Sequence, residues 1–289
     1  MKPYNDFTLV FQGPLHKNFI YGLLNNYTTY TDNIIISYWD TDDKELLEYL
    51  KDKNFTLIEN KFHICFKEYN NQNIYYQTYT TLKGLEKVNT KYVIKLRTDQ
   101  WFGNLSPFFN EVINNPDKYN CVNLHFRPDY LYKFHPSDKV IGGLTKNILD
   151  TFKLTLYRLQ NHQIPLISGA YMFTEEENII SKEELLKIIQ LYSYNSSSRT
   201  LYTSYPNPPE IGSPQYLPGG YIGIVPEMVI GTSFLLSMGI FPDPNNSINI
   251  VKSHFNIIRV EDMVPYVNKQ GTNQIEHNSI EIDNITQYG

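Results

Sequence analysis

A chain of 289 residues with 41% hydrophobic and 19% charged residues is long enough for a sizeable core and too apolar to stay disordered. Its net charge of -5 excludes a protein that neutralises nucleic-acid phosphates along a basic groove, but leaves room for a small phosphorylated ligand held by one or two local cations. Two cysteines, Cys65 and Cys121, can build neither a disulfide framework nor a four-ligand zinc site, and both sit in apolar runs that suit buried thiols.

The chain enters its first apolar segment at once, with no basic region and long apolar stretch before it, and no run approaches the roughly 18 apolar residues of a membrane span. A cytoplasmic protein is therefore expected. Phe7 to Phe11 reads as a buried strand closed by Gly13-Pro14. Phe19, Ile20, Leu23 and Leu24 recur at helical spacing within Asn18 to Tyr27. Ile34-Ile35-Ile36 forms a second strand, and Asp42-Asp43 opens a helix through Leu50 whose apolar stripe is Leu46, Leu47 and Leu50. A third strand (Phe55 to Ile58), a helix from about Asn73 to Val88 and a fourth strand (Lys91 to Leu96) complete a β-α-β-α-β-α-β order. That alternation predicts an α/β fold with a mainly parallel sheet and helices on both faces.

Beyond Asp99 the pattern loosens. Ser106-Pro107 starts a helix ending near Asn115-Pro116, and Cys121 to Leu124 reads as a strand. Arg127 to Ile141 reads as a functional loop, and Gly142-Gly143 as a lead-in to a helix over Thr145 to Phe152. Ser181 to Leu191 has a capping box in Ser181 and Glu184, and Tyr192 to Gly223 reads as a lid or binding loop. Glu227 to Met238 is helical in pattern, and the polar end from about Thr272 is expected to fray. No repeat or linker divides the chain. A single elaborated domain is expected, with a ligand-binding half over 1–105, a second half over 106–271 and a polar tail over 272–289.

The most informative stretch is Lys91-Tyr92-Val93-Ile94-Lys95-Leu96-Arg97-Thr98-Asp99. A strand that delivers a guanidinium and a carboxylate to its C-terminal end places them where open α/β sheets bind ligands. Arg97 suits a phosphate and Asp99 a divalent cation. Gln12-Gly13-Pro14 and Ser37 to Asp40 stand at the ends of the first and second strands, although Asp40 or Asp42 could instead cap the next helix. Gln77, Thr80, Thr81 and Gly84 share one helix face that could line a pocket. Asp138, and Glu227 at a helix start, are further carboxylates, Glu227 being a base candidate if burial raises its pKa; His254 is a candidate metal ligand. No Gly-x-Ser-x-Gly elbow, Walker loop, Cys-x-x-Cys pair or His-Glu-x-x-His helix occurs, which removes the common hydrolase, P-loop and zinc-protease readings. The abundance of tyrosine and phenylalanine (24 and 16) matches an AT-rich coding sequence, such as that of a giant virus or a low-GC bacterium, and decides nothing about ligands.

Taken in order, Val10 to Pro14, Ile34 to Trp39, Gln77 to Leu85, Lys91 to Asp99, Pro136-Ser137-Asp138 with Gly142 to Thr145, and Pro226-Glu227 resemble the WavE family of lipopolysaccharide-synthesis proteins, glycosyltransferases of the GT-A type. The resemblance implies a GT-A-like Rossmann-type fold. It implies a nucleoside-diphosphate-sugar donor held by Gln12, Gly13, Asp40, Gln77, Arg97 and Asp99, and Pro14, Ser37 and Thr81, from the same strand ends and helix face, are expected to complete the donor side. Asp138 and Glu227 would serve the side of a glycan or glycoconjugate acceptor, and Mn²⁺ or Mg²⁺ would sit on the diphosphate at Asp99; His254 stays the further candidate ligand read from the residues alone. Two departures stand out. Tyr75-Tyr76 replace the Asn-Arg expected before Gln77, and Arg97-Thr98-Asp99 supplies only the last carboxylate of an Asp-x-Asp motif. They leave open a degenerate module that binds nucleotide or glycan without catalysis.

Overall fold

The computed structural model describes residues 2–62, 72–123, 134, 136–160, 166–167, 171–172, 226–243, 246–263, 265–269 and 272–274. The expected helix from Ser181 to Leu191, the loop from Tyr192 to Gly223, Cys65 and much of the Arg127 to Ile141 segment lie outside the described residues. The first part of the chain runs β1 (Phe7–Gln12), α1 (Lys17–Asn25), β2 (Ile34–Trp39), α2 (Lys44–Lys51), β3 (Thr56–Asn60), α3 (Gln72–Leu85) and β4 (Tyr92–Arg97). It continues with β5 (Gln100–Phe102), α4 (Ser106–Asn114), β6 (Tyr119–Val122), β7 (Ile141–Leu144), α5 (Thr145–Gln160) and a short pair, β8 (Leu166–Ile167) and β9 (Tyr171–Met172). After these come α6 (Pro226–Ser237), α7 (Ser247–His254), β10 (Phe255–Ile258), β11 (Pro265–Lys269) and β12 (Thr272–Gln274).

Seven strands form one sheet in the order β10-β6-β7-β4-β1-β2-β3. Within it β7 is antiparallel to both neighbours and the other pairings are parallel. The expected mostly parallel sheet with helices on both faces is thus the observed one. Strand alternation sorts side chains between the faces. Phe7, Leu9, Phe11, Ile34, Ile36, Tyr92, Ile94 and Leu96 join a core with α1, α2 and α4 residues such as Leu23, Leu50 and Phe108. Val10, Ile35 and Val93 face the other way, against Leu82 and Leu85 of α3, Ile148 and Phe152 of α5, and Ile230 and Phe234 of α6. Each fully buried Leu, Ile or Phe contributes roughly 1.5–3 kcal/mol of transfer free energy. Lys95 and Arg97 continue the alternation of Val93, so β4 turns two cations to the α3–α6 side.

Several expectations need correction. Gly142 and Gly143, read as the lead-in to the helix at Thr145, do precede it, but as part of a strand: they lie within β7, paired with Ile94 and Val93 of β4. A Cβ on Gly142 would come 2.7 Å from Phe108 Cε1, so α4 packs where a side chain would stand. The helix that follows extends to Gln160, beyond Phe152. At the polar end, Thr272–Gln274 is a strand that pairs with β11, which pairs in turn with β5 as a small antiparallel sheet. Asp43, and not Asp40 or Asp42, caps α2, its carboxylate accepting from Glu45 N (2.9 Å) and Leu46 N (3.3 Å).

Candidate functional site

From β1 the chain builds outward through β2 to β3, then crosses back to place β4 on the other side of β1. The strand order thus reverses between β1 and β4, and open α/β sheets bind ligands outside the C-terminal ends of the strands at such a reversal. Gln12 is in register with Arg97 on one side and Ser37 on the other. Gly13 turns the chain with φ of +114°, where a Cβ would come 2.8 Å from Thr98 Oγ1. Thr98 ties the two strand ends together: its N–H donates to Gln12 O (3.1 Å) and its hydroxyl to Pro14 O (2.5 Å).

Arg97 is the centre of the site. Its Nε donates to Asp99 Oδ1 (2.8 Å) and its Nη2 to Asp99 Oδ2 (2.5 Å), a bidentate fork, while Nη1 stands 3.7 Å from Asp138 Oδ2. Arg97 and Asp99 are half-buried. Burial works to raise the Asp99 pKa, but the Arg97 guanidinium outweighs it and holds the carboxyl below the usual range.

Asp138 lies behind this pair and is buried. Gln77 of α3 donates to its Oδ2 (2.8 Å), and Lys95 Nζ donates to its backbone carbonyl (2.5 Å). Burial alone would raise the Asp138 pKa; the charges of Lys139, Arg97 and Lys95 instead pull it well down. Its other oxygen, Oδ1, is buried and has no hydrogen-bond partner among the described residues. Lys95 is fully enclosed, and burial pushes its ammonium down to about 7 against the pull of Asp138.

Glu227 reaches this cluster through the packing of α6. Gly231 stands one turn further along the same helix face, and a Cβ there would meet Phe134 O at 2.7 Å and Pro136 Cδ at 2.8 Å. This close approach brings the first turn of α6 against the segment that carries Asp138. Arg158 of α5, itself buried, fixes the helix from behind, donating to Thr232 Oγ1 (2.9 Å) and Ser233 Oγ (2.8 Å). Burial and then the Asp138 charge push the Glu227 carboxyl up to about 7. Two neighbouring carboxyls are thus driven apart, one firmly ionised and one poised near neutrality, the arrangement from which acid–base roles are divided.

Other expected site residues stand elsewhere or are engaged. Ser37 is fully buried and its hydroxyl accepts from Asn60 Nδ2 (2.9 Å); Asp40 Oδ1 accepts from Phe62 N (3.0 Å). Both are occupied in joining the ends of β2 and β3. Thr80 faces Gln12, with its hydroxyl 3.4 Å from Oε1, while Thr81 is buried with a hydroxyl lacking a partner among the described residues. Pro14 is exposed just past the end of β1. His254 ends α7, just before the start of β10, which runs in the same direction as β4. It therefore lies a strand length, roughly 13–20 Å, from the edge that carries Asp99, and the two do not converge on one ion.

A divalent cation at Asp99 does not fit the residues present. Among the described residues no group of three or more His, Cys, Asp or Glu side chains converges, and both Asp99 oxygens are taken by Arg97. Sequence reasoning also missed Lys95 and Arg158. In the sequence Lys95 carries only the signal of a polar residue alternating within a strand, and Arg158 that of a basic residue in the last turn of a helix. Trp39, read only as the end of the second strand, stacks with Tyr79 (6.0 Å) and meets Tyr76 edge-on (5.4 Å). Among the described residues no helix is long and apolar enough to cross a membrane.

No family model matches the chain, and no curated protein matches it. Among solved structures it is similar to HddC from Yersinia pseudotuberculosis complexed with GMP-PN, at 14% identity over 50% of this chain and 79% of that one, with a TM-score of 0.34. It is similar to S. aureus TarS 1-349 in complex with UDP, at 13% identity over 68% of this chain and 67% of that one, with a TM-score of 0.35. A third similar structure is the mannosyltransferase PcManGT from Pyrobaculum calidifontis in complex with GDP-Man and Mn2+, at 10% identity over 87% of this chain and 77% of that one, with a TM-score of 0.35. These likenesses are distant and concern the fold alone.

Proposed function

We propose that the protein is a glycosyltransferase of the GT-A type, related to the WavE proteins, that moves a sugar from a nucleoside diphosphate to a hydroxyl of a glycan or glycoconjugate. One observation carries the reading: Glu227, its carboxyl pushed up to about 7, lies within the electrostatic reach of an ionised Asp138 that has a buried oxygen without a partner among the described residues, and the Arg97 guanidinium stands 3.7 Å from Asp138 at the end of β4. In this reading Glu227 takes the acceptor's hydroxyl proton. The acceptor oxygen bonds to the anomeric carbon, the bond from that carbon to the phosphate oxygen breaks, and its electron pair leaves with the nucleoside diphosphate. Asp138 Oδ1 accepts a hydrogen bond from a sugar hydroxyl. Gln12, Gly13, Pro14, Gln77, Thr81, Arg97 and Asp99 form the donor side, with the 1–105 half supplying them and the later half supplying Asp138 and Glu227. Glu227→Gln should lower kcat for sugar transfer by about 100-fold or more while leaving nucleoside-diphosphate binding intact. An unchanged rate removes the assignment.

A second reading has its own support. Arg97 stands where an Asp-x-Asp motif would have its first carboxylate, and Asp99 is bound to that arginine, as expected of a transferase reduced to a binding module. Calorimetry across nucleoside diphosphates, followed by assays of sugar transfer and donor hydrolysis, separates the two. Binding without turnover of any sugar favours the module.

A further inference from the structure

We infer that the diphosphate of the ligand is neutralised by Arg97 directly and not through a divalent cation, with Asp99 acting as the positioning residue that aims the guanidinium. This rests on the proposed nucleoside-diphosphate site and deepens it. The first ground is the state of Asp99. Both oxygens accept from Arg97, at 2.8 and 2.5 Å, so a cation could bind only by displacing the fork or by sitting against a like charge. The second is the supply of ligands: no cluster of three metal-binding side chains occurs among the described residues, and His254 lies at the opposite edge of the sheet.

The third ground is what Arg97 has left. A guanidinium has five N–H groups. Only the two directed at Asp99 find a hydrogen-bond acceptor among the described residues, and the Nη1 contact with Asp138 Oδ2 at 3.7 Å is too long to be one. The remaining donors belong to a side chain at the C-terminal end of β4 that is 25% exposed and held in a fixed plane by Asp99. A planar fork with its orientation already set is suited to two phosphate oxygens, and little of its side-chain entropy remains to be lost on binding.

The test is calorimetry on the full chain with UDP, GDP, ADP and dTDP, each in excess EDTA and in excess MnCl2. The expected result is binding of at least one nucleotide with Kd equal within about twofold in the two conditions, since no ion contributes. Arg97→Lys, which keeps the charge but loses the fork, should weaken that binding by about tenfold or more in both conditions. Asp99→Asn, whose amide oxygen accepts one guanidinium bond in place of two, should weaken that binding by the same factor in EDTA and in MnCl2. Wild-type binding that vanishes in EDTA and returns with Mn²⁺ overturns the inference and leaves the proposed function standing. So does a loss of binding in Asp99→Asn that appears in MnCl2 and not in EDTA. If none of the four nucleotides binds in either condition, the proposed donor site falls and this inference with it. Should Arg97→Lys fail to fold, the EDTA comparison and Asp99→Asn decide the matter.

Discussion

Lys95 and Glu227 carry opposite penalties, and their signs can be separated by pH. Lys95 has its pKa lowered from 10.5 to about 7, chiefly by burial, so between those values the unfolded chain binds more protons than the folded one. Its contribution to stability is fully present above 10.5 and is lost as pH falls through about 7. Wild type should therefore gain stability from this residue as pH rises across that window, and Lys95→Met should remove the gain. Urea midpoints measured from neutral to alkaline pH check this; an equally steep rise in the variant would show that Lys95 is not the source. Glu227 is raised from 4.5 to about 7 by burial and by Asp138, so the folded state holds the extra proton. Its contribution is present below 4.5 and lost as pH rises through about 7. Glu227→Gln, which stays neutral, should gain on wild type progressively over that range in the same urea experiment. A difference that stays constant from pH 4.5 to 7 would mean that the carboxyl titrates normally.

At the scale of elements, α6 positions the carboxyl, and its glycine marks how tightly. In an exposed helix Gly→Ala gains about 1 kcal/mol from propensity. At Gly231 the new methyl meets a backbone oxygen at 2.7 Å and a proline ring at 2.8 Å, neither of which can swing aside. Overpacking of this kind costs about 1–3 kcal/mol, so the clash outweighs the propensity. Gly231→Ala should lower the melting temperature and, by moving Glu227 relative to Asp138, reduce the proposed sugar transfer more than the proposed nucleotide binding; a variant more stable than wild type would refute the packing argument. No local sequence signal reveals such a contact, and the same holds for Gly142, which reads only as a lead-in to a helix but lies in β7 with α4 packed across it. The first four strands were legible because long apolar runs of β-branched residues alternate with clear helical stripes. The later strands are only two to five residues long and draw their pairing from distant partners, as β5 does from β11. Arg97 and Asp99 could be picked out as a charged corner closing an apolar strand. Their mutual bond could not, since an arginine two residues before an aspartate is equally compatible with a phosphate, a metal or an ion pair.

The molecule as a whole is held by a sheet that both parts of the chain must build. β4 has β1 on one side, from the first hundred residues, and β7 on the other, from residues 141–144. Beneath one face, Phe7 packs edge-on against Phe109 of α4 (4.9 Å), and Tyr4 stacks on the same ring at 4.1 Å. On the other face Val10 and Val93 share a core with Ile148, Phe152, Ile230 and Phe234. A fragment of residues 1–105 would therefore keep β1 to β4 yet expose an unpaired edge at β4, the apolar surface that α4, α5 and α6 now cover, and Lys95 with its Asp138 acceptor gone. Losing several buried Phe and Ile contacts at roughly 1.5–3 kcal/mol each exceeds the 5–15 kcal/mol by which domains are usually stable. The fragment should show helical far-ultraviolet dichroism at most, bind a hydrophobic dye, and melt in urea without a cooperative transition, whereas the full chain unfolds cooperatively. A sharp transition for the fragment, with a slope in proportion to its length, would show that the donor-side half is an autonomous unit and that the shared core is not what holds the site together.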